Sequence, residues 1–439
     1  MPYLPKGSKK LLNAWAFYDW ANSVYSLVIA SAIFPIYYQA LFKSANVETV
    51  NVLGGAIRST PLISYTTAAA FLIVALISPI LSGIADYVGN KKSFMKFFCY
   101  LGSVSCMGLY FFSIENIYIS LLFYFFGLIG FWGSLVFYNS YLPDVAFPEQ
   151  QDRISARGYS MGYVGSVILL LFNLAMVMKP ELFGFGEGGE ASMKAMKWSF
   201  VTVGIWWIVF SQYSFYFLPK GNKSGKKVSA QIFLNGFKEL KGVYNSLSEN
   251  IQLKRYLAAF FVYSMAVQTV MLVATYFGEQ EIAWGGDDNK TMGLIVSILI
   301  IQLVAVGGAT LTSRASEKYG NIFVLISINI IWVFICVVAF FIESPTQFYV
   351  TAGVVGLVMG GIQSLSRSTY SKFLPETKDT TSYFSFYDVA EKVGIVIGMM
   401  IYGFIDQITG SMRNSILFLV LFFITGVILL LRVPRNKNF

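Results

Sequence analysis

The sequence contains no histidine and only three cysteines. Without histidine there can be no histidine-liganded metal site, no Ser-His or Cys-His nucleophile and no histidine proton relay. Cys99, Cys106 and Cys336 all lie in apolar segments, where a disulfide framework or a metal cluster is not expected. The sequence also lacks the Gly-rich Lys-Ser/Thr loop that binds nucleotide phosphates. We therefore expect no enzyme, no ATP-driven pump and no cofactor, and any proton chemistry must use carboxylates, lysine or tyrosine.

Charged residues are also scarce, at 13% of 439 residues, whereas hydrophobic residues make up 56% and the mean hydropathy is +0.62. Soluble domains carry about 25% charged residues. This composition predicts an integral membrane protein. The net charge of +9 is compatible with nucleic acid or an anionic surface as a partner, so the positions of the charges decide between them.

Apolar segments long enough to cross a bilayer as helices recur along the whole chain. Twelve spans are predicted, at 13-41, 62-84, 93-113, 118-140, 158-178, 198-218, 256-277, 291-311, 321-342, 347-366, 383-406 and 412-432. The first is too long for a signal peptide and contains Asp19 and Pro35, so we expect it to remain as a span.

Most of the 32 Lys and Arg residues lie at the two termini and in the loops that follow even-numbered spans. The positive-inside rule places this side in the cytoplasm. The sequence thus predicts a multi-pass protein of a bacterial inner membrane with both termini inside, and no nucleic-acid partner. The basic segment 218-255 is expected to be a cytoplasmic linker, partly helical around Ile232 to Tyr244, that rests on anionic lipid.

Short motifs recur at a separation of about 230 residues. Tyr141-Leu142-Pro143-Asp144 matches Phe373-Leu374-Pro375-Glu376, and the pair Gly89-Asn90 matches Gly320-Asn321. Transporters often contain such internal repeats. An even number of spans per repeat predicts two parallel six-helix bundles, at 1-217 and 256-439, with a solute cavity between them.

Polar residues in the first span form one face, because Asn22, Ser23 and Ser26 follow Asp19 at i+3, i+4 and i+7. An ionisable side chain inside a span requires a partner or a water-filled cavity. We expect Asp19 to bind a solute amine or to couple transport, with Asn22 and Ser23 beside it. The alternative is that Asp19 lies at the headgroup level.

The eleventh span carries Asp388, Glu391 and Lys392. Two interpretations are open: a self-contained Asp388–Lys392 pair at i, i+4, or a network in which Lys392 pairs with Asp19 or Glu391 near the cavity. We expect Asp388 and Glu391 to form a gate or a charge network together with Asn139 at the end of the fourth span.

The end of the tenth span supplies Gln363 and Arg367. Arg367 is predicted either to bind an anionic group of the solute or to satisfy the last carbonyls of its own helix. Gln268, Gln302 and Gln363 are amides that either contact solute or bridge helices. Together with Tyr25, Trp132 and Tyr263 they predict an aromatic, mostly neutral pocket suited to a zwitterionic or amphipathic solute.

Small residues recur at four-residue spacing in the fifth and eleventh spans, at Gly158, Gly162, Ser166, Ala390, Gly394 and Gly398. This spacing predicts close contact between helices.

The loop Ser82-Gly83-Ile84-Ala85-Asp86-Tyr87-Val88-Gly89-Asn90-Lys91-Lys92 resembles the signature loop of the major facilitator superfamily. Ser82 replaces a glycine of the pattern, and Tyr87 and Asn90 replace basic residues. The resemblance implies a conformational latch formed by Asp86, Gly89, Lys91 and Lys92.

A likeness that covers nearly the whole chain is carried by five motifs. They are Trp15-Ala16-Phe17-Tyr18-Asp19-Trp20-Ala21-Asn22-Ser23, Phe34-Pro35-Ile36-Tyr37, Tyr138-Asn139-Ser140-Tyr141-Leu142-Pro143, Gly361-Ile362-Gln363-Ser364-Leu365-Ser366-Arg367-Ser368 and Phe386-Tyr387-Asp388-Val389. They resemble the autophagy-related, vacuole-effluxer-like branch of that superfamily, and the compact chain is most similar to its bacterial members. The resemblance implies the all-α major facilitator fold and transport, with amino-acid efflux known for fungal members.

The expected function is secondary transport of a small solute, an amino acid or similar amphipathic metabolite, by alternating access and with a proton or cation as a co-transported partner. The alternatives are a transporter-like membrane sensor without net transport, or a proton-coupled drug or metabolite exporter.

Overall fold

A computed structural model describes residues 4–52, 54–221 and 232–434 of the chain. The fold is all-α except for one small hairpin. The long helices are α1 (Lys9–Val24), α2 (Ile33–Ser44), α3 (Ser59–Val88), α4 (Lys91–Gly108), α5 (Ile117–Asn139), α7 (Pro148–Met178), α8 (Gly189–Phe217), α9 (Ile232–Glu249), α10 (Ile251–Glu281), α11 (Asp287–Tyr319), α12 (Asn321–Phe341), α13 (Pro345–Phe373), α14 (Thr380–Thr409) and α15 (Met412–Leu431), with the short α6 (Leu142–Val145) after α5. Single 3₁₀ turns lie at Leu109–Phe111 and Pro180–Phe183.

Within the described residues, eleven helical segments are long and apolar enough to cross a membrane, and each coincides with a predicted span. The remaining predicted span, the eleventh (383-406), lies in α14, which forms a helix of 30 residues. Helix α14 carries four charged residues, Asp388, Glu391, Lys392 and Asp406, and is not among the eleven segments. The predicted helix in the linker is confirmed as α9.

Two local features are not predicted by the sequence patterns. The first span is interrupted by a π-helix at Tyr25–Ala32, which joins α1 to α2 just before Pro35. Proline has no N–H group, so the regular ladder of backbone hydrogen bonds cannot continue through that position. The loop before α3 folds into an antiparallel hairpin in which β1 (Thr49–Val52) pairs with β2 (Gly55–Arg58).

The chain divides into two compact units. One contains Met1–Tyr138 and Met161–Lys227, and the other contains Asn139–Ser160 and Val228–Phe439. The segment after the fourth span is therefore grouped with the later part of the chain. The predicted domain boundaries, 1-217, 218-255 and 256-439, stay a prediction.

In the first unit, α8 packs against α1 and α4, and the interior is rich in aromatic side chains such as Trp15, Trp207 and Tyr25. Helices α4 and α5 approach so closely that a Cβ at Gly130 would overlap the backbone of Gly102. Small residues allow this contact, which is typical of helix packing in membranes.

In the second unit, the most extensive contact is between α11 and α13. A Cβ at Gly360 would overlap the carbonyl oxygen of Ala305, so these two backbones also meet through glycine. The close helix contacts that the glycine spacing predicts for the fifth and eleventh spans are confirmed. Gly162 of α7 packs on Ser23 of α1, and Gly398 of α14 packs on Thr269 of α10.

Candidate functional site

Asp19 lies in the middle of α1 and is buried, with 4% of its surface exposed. The hydroxyl of Tyr138 donates a hydrogen bond of 2.7 Å to its Oδ2 atom. The ring of Tyr138 stacks on Trp15 at 4.7 Å between centroids, and the Trp15 indole N–H donates to the Tyr138 carbonyl oxygen at 3.0 Å. The carboxylate is thus held in position by Tyr138, which is itself held by stacking on Trp15 and by the hydrogen bond from the Trp15 indole.

Asn22 and Ser23 lie one turn further along α1. Asn22 is buried, and its Oδ1 atom accepts a long hydrogen bond of 3.5 Å from the Ser23 hydroxyl. The Asn22 amide nitrogen is enclosed and has no hydrogen-bond partner among the residues that the structure describes. A buried donor without an acceptor is costly, so this amide is suited to a polar ligand or an ordered water.

Four residues of α10 and α14 form one charged network. The ammonium of Lys392, 1% exposed, pairs with Asp388 Oδ1 at 2.5 Å and with Glu391 Oε2 at 3.0 Å. The Gln268 amide donates to Glu391 Oε1 at 2.8 Å. The structure contains both the i, i+4 pair and the Glu391–Lys392 pair, so the Asp388–Lys392 pair is not self-contained. The role of these residues as a gate or in coupling stays a prediction.

This network carries one negative charge in excess if all three ionisable groups are charged. Glu391 is the more accessible of its two carboxylates, with 18% of the side chain exposed, compared with 4% for Asp388. Gln268 was predicted to contact solute or to bridge helices, and in the structure it bridges α10 to α14; solute contact stays a prediction.

Arg367 is buried, and the structure gives it partners that neither prediction names. Its binding of a solute anion stays a prediction. Its Nε and one terminal nitrogen donate to the side chain and carbonyl of Ser155 at 3.0 and 3.1 Å, and the other terminal nitrogen donates to Asn139 Oδ1 at 3.2 Å. The guanidinium also lies over the ring of Tyr159, 4.2 Å from its centroid. Arg367 therefore holds the segment Asn139–Ser160 onto α13.

A second polar cluster on the same segment was missed by the sequence analysis. Asp152 is buried and accepts from Lys372 Nζ at 2.6 Å, from Asn321 at 2.9 Å and from the Ser316 hydroxyl at 3.0 Å. It connects α7 to α11, α12 and α13. The only sequence signal is an acidic residue between two apolar spans, which is equally typical of a solvated loop.

The remaining predicted residues lie elsewhere. Tyr25 stacks on Phe131 in the first unit, and in the second unit the Tyr263 hydroxyl hydrogen bonds to Ser366 at 2.8 Å, so both rings serve helix packing. Gln363 is partly buried, with its amide 3.7 Å from the sulfur of Met271.

The predicted latch loop ends α3, with Gly89 in the left-handed region (φ +67°) as its C-cap. Lys91 and Lys92 begin α4 and are both buried. The Lys92 ammonium donates to the carbonyl of Leu218, the C-cap residue of α8, at 2.6 Å. A cation at the C-terminus of a helix is favourable, so Lys92 ties the loop to α8. The latch role of Asp86 stays a prediction.

Comparison with known proteins gives a consistent result. Residues 7–438 match the family model described as vacuole effluxer Atg22 like. An uncharacterized MFS-type transporter of Bacillus subtilis (strain 168), YxiO, is 30% identical over 97% of this chain and 95% of its own length. The autophagy-related protein 22-1 of Phaeosphaeria nodorum is 21% identical over 97% of this chain and 90% of its own length.

Solved structures of major facilitator transporters share the fold. FucP in the outward conformation matches with a TM-score of 0.70 at 13% identity, covering 97% of this chain and 99% of that one. The proton:xylose symporter XylE matches with a TM-score of 0.69 at 11% identity, covering 97% and 95%. The predicted all-α major facilitator fold is thereby confirmed. The roles of individual site residues stay predictions.

Proposed function

Because this chain belongs to the vacuole effluxer Atg22-like family of major facilitator transporters, we propose that it moves a small zwitterionic solute, such as an amino acid, by alternating access. The observation that carries the proposal is the buried carboxylate of Asp19, held by Tyr138 within a membrane span. A carboxylate within a span is suited to charged or strongly polar partners, and a solute ammonium is one of that kind.

The neighbouring groups favour a solute that is polar but compact. Asn22 offers a buried amide donor without a partner among the described residues, and the ring of Tyr138, which binds Asp19, packs against Trp15 and Tyr18. A few fixed polar groups set in an apolar wall are typical of sites for small molecules. In this proposal, Asp19 binds the solute amine and Asn22 binds a neutral acceptor of the same solute.

Arg367 and Gln268 are less suited to direct solute binding than the sequence suggests. The three nitrogens of Arg367 already donate to Ser155 and Asn139, and Gln268 is bonded to Glu391. We propose that Arg367 and Asn139 serve the inner gate, and that the Lys392 network serves coupling.

Proton coupling is supported by the composition of that network. Two carboxylates share one lysine, so uptake of one proton would remove the excess negative charge that burial disfavours. Of the two carboxylates, Glu391 is the more accessible to a proton from the surroundings.

The experiment that tests solute binding is a thermal-shift screen of the purified protein against amino acids, short peptides, nucleosides and sugars. A ligand that binds the folded state stabilises it by about 2.7 kcal/mol at 100 times its Kd. We expect a shift with a zwitterion in the wild type and none in Asp19→Asn. The matched control is Glu115→Gln, which changes an exposed carboxylate in the loop before α5 and should keep the shift.

Two outcomes would redirect the proposal. A zwitterion shift that survives Asp19→Asn would remove this residue from the binding site and leave it a role in coupling or gating. A screen in which no zwitterion shifts the protein would contradict the proposed substrate class.

We also propose that both termini and α9 face the cytoplasm of a bacterial inner membrane. The native cysteines are buried, so a thiol introduced by Lys238→Cys on α9, at an exposed position, reports its own side. Labelling by an impermeant maleimide only after the cells are opened would support this orientation. Labelling in intact cells would contradict it.

A further inference from the structure

A groove of about 570 Å³ lies where α10 begins and α15 ends. Its lining residues are Arg255, Ala258, Leu429, Leu431, Arg432, Val433 and Pro434. The wall is therefore mainly apolar, with two guanidinium groups and no acidic side chain. Leu431 is 60% exposed, so the apolar part of the groove is open to the surroundings.

The position of the groove indicates what surrounds it. Helices α10 and α15 pack against each other, and both are among the segments apolar enough to cross a membrane. A groove at the adjoining ends of two spans lies at the level of lipid headgroups, with its apolar wall continuing towards the acyl chains.

The two arginines are arranged to receive an anion. One terminal nitrogen of Arg255 donates to the main-chain carbonyl of Arg432 at 2.8 Å, which fixes the Arg255 side chain and leaves its other donors available. The Gln252 amide donates to the Pro434 carbonyl at 3.0 Å and holds the chain after α15 in place. Among the described residues, neither Arg255 nor Arg432 forms an ion pair with a carboxylate.

We propose that this groove is a binding site for an anionic phospholipid. The guanidinium groups of Arg255 and Arg432 bind the phosphate, for which arginine is well suited because it can donate two parallel hydrogen bonds. The glycerol and the first part of an acyl chain lie along Ala258, Leu429 and Leu431. Basic pockets at the ends of spans bind acidic headgroups in this way.

Binding is measured by native mass spectrometry of the detergent-purified protein titrated with phosphatidylglycerol, with phosphatidylcholine as the neutral lipid. Each arginine near the surface adds its own electrostatic attraction to the anionic headgroup. Removing one arginine should therefore raise the Kd for phosphatidylglycerol about fivefold, and removing both should raise it about 30-fold. Arg432→Gln is the cleaner variant, because it leaves the bond between Arg255 and the main chain intact. Arg255→Gln/Arg432→Gln tests the pair, and size-exclusion chromatography checks that each variant is folded.

The matched control is Arg314→Gln, which removes an exposed arginine of α11 outside the groove. We expect it to bind phosphatidylglycerol as the wild type does. Equal affinities for Arg432→Gln, Arg314→Gln and wild type would overturn the proposal. Competition by glycerol phosphate, which has no acyl chain, at the same concentration as the lipid would also overturn it, because the site would then recognise a soluble anion.

Discussion

The hydroxyl of Tyr138, at the end of the fourth span, donates a 2.7 Å hydrogen bond to the carboxylate of Asp19 in the first span. Both side chains are buried. The bond therefore sets the position of the one carboxylate on which the proposed solute site depends, and it gives Tyr138 a positioning role that the sequence alone does not reveal.

Tyr138→Phe removes this hydrogen bond and keeps the ring that stacks on Trp15. A hydrogen bond to a charged group contributes about 1.5 to 3 kcal/mol, so we expect the Kd for the zwitterion found in the thermal-shift screen to rise about tenfold or more. The matched control is Tyr25→Phe, because the buried Tyr25 hydroxyl has no hydrogen-bond partner among the described residues. Equal loss of binding in the two variants would show that Tyr138 acts only through packing.

Lys392→Met is expected to destabilise the protein strongly, because it leaves the buried Asp388 and the partly buried Glu391 without their shared counter-charge. Removing one partner of a buried ion pair costs about 3 to 5 kcal/mol. The double variant Asp388→Asn/Lys392→Met should recover part of that loss. The measurement is the apparent unfolding temperature in detergent.

The control for this network is Lys290→Met, since Lys290 and Glu279 are 3.9 Å apart and both are partly exposed. Pairs of that kind contribute about 0 to 1 kcal/mol. An unfolding temperature for Lys392→Met as close to the wild type as that of Lys290→Met would contradict the structural account of the network.

Arg367→Lys should lower both stability and transport, although it conserves the charge. Lysine cannot reproduce the three donors that reach Ser155 and Asn139, nor the stacking of the guanidinium on Tyr159. We expect a loss of at least about 2 kcal/mol in unfolding free energy. Arg314→Lys, at an exposed position on α11, should change neither the unfolding free energy nor the transport rate. If Arg314→Lys lowered them as much as Arg367→Lys does, the loss would not be specific to the contacts of Arg367.

Gly360→Ala tests the close contact of α11 and α13. The added methyl group would overlap the Ala305 carbonyl, and overpacking of this kind costs about 1 to 3 kcal/mol. Gly403→Ala is matched to it, because a Cβ at Gly403 meets nothing within 4 Å and alanine favours the helix by about 1 kcal/mol. The apparent unfolding temperature should fall in the first variant and stay or rise in the second; the reverse order would contradict the packing.

Length and composition predict the helices well, because a bilayer imposes a strong requirement on each span and the apolar runs satisfy it. The pair of Asp388 and Lys392 is predictable for a similar reason, since i, i+4 spacing alone brings the two charges together. The partners of Arg367 and Asp152 are not predictable in this way. Arg367 is separated from Ser155, and Asp152 from Lys372, by more than 200 residues of sequence. Only the tertiary fold therefore shows these contacts.

The π-helix and the hairpin were missed for a different reason. A wide turn at Tyr25–Ala32 keeps the same apolar composition as a regular helix, and only the nearby Pro35 indicates that the backbone must adjust. The strands β1 and β2 have four residues each, which is too short for an alternating pattern to stand out.

The most direct test of the proposed function is counterflow in proteoliposomes. Vesicles loaded with an unlabelled amino-acid mixture are diluted into each labelled amino acid in turn, with the wild type, Asp19→Asn and Glu115→Gln compared at equal protein content. We predict that the wild type and Glu115→Gln accumulate at least one labelled zwitterion. The initial rate of accumulation by Asp19→Asn should be lower by a factor of about ten or more. Equal exchange by Asp19→Asn, or no exchange of any zwitterion by the wild type, would contradict the account.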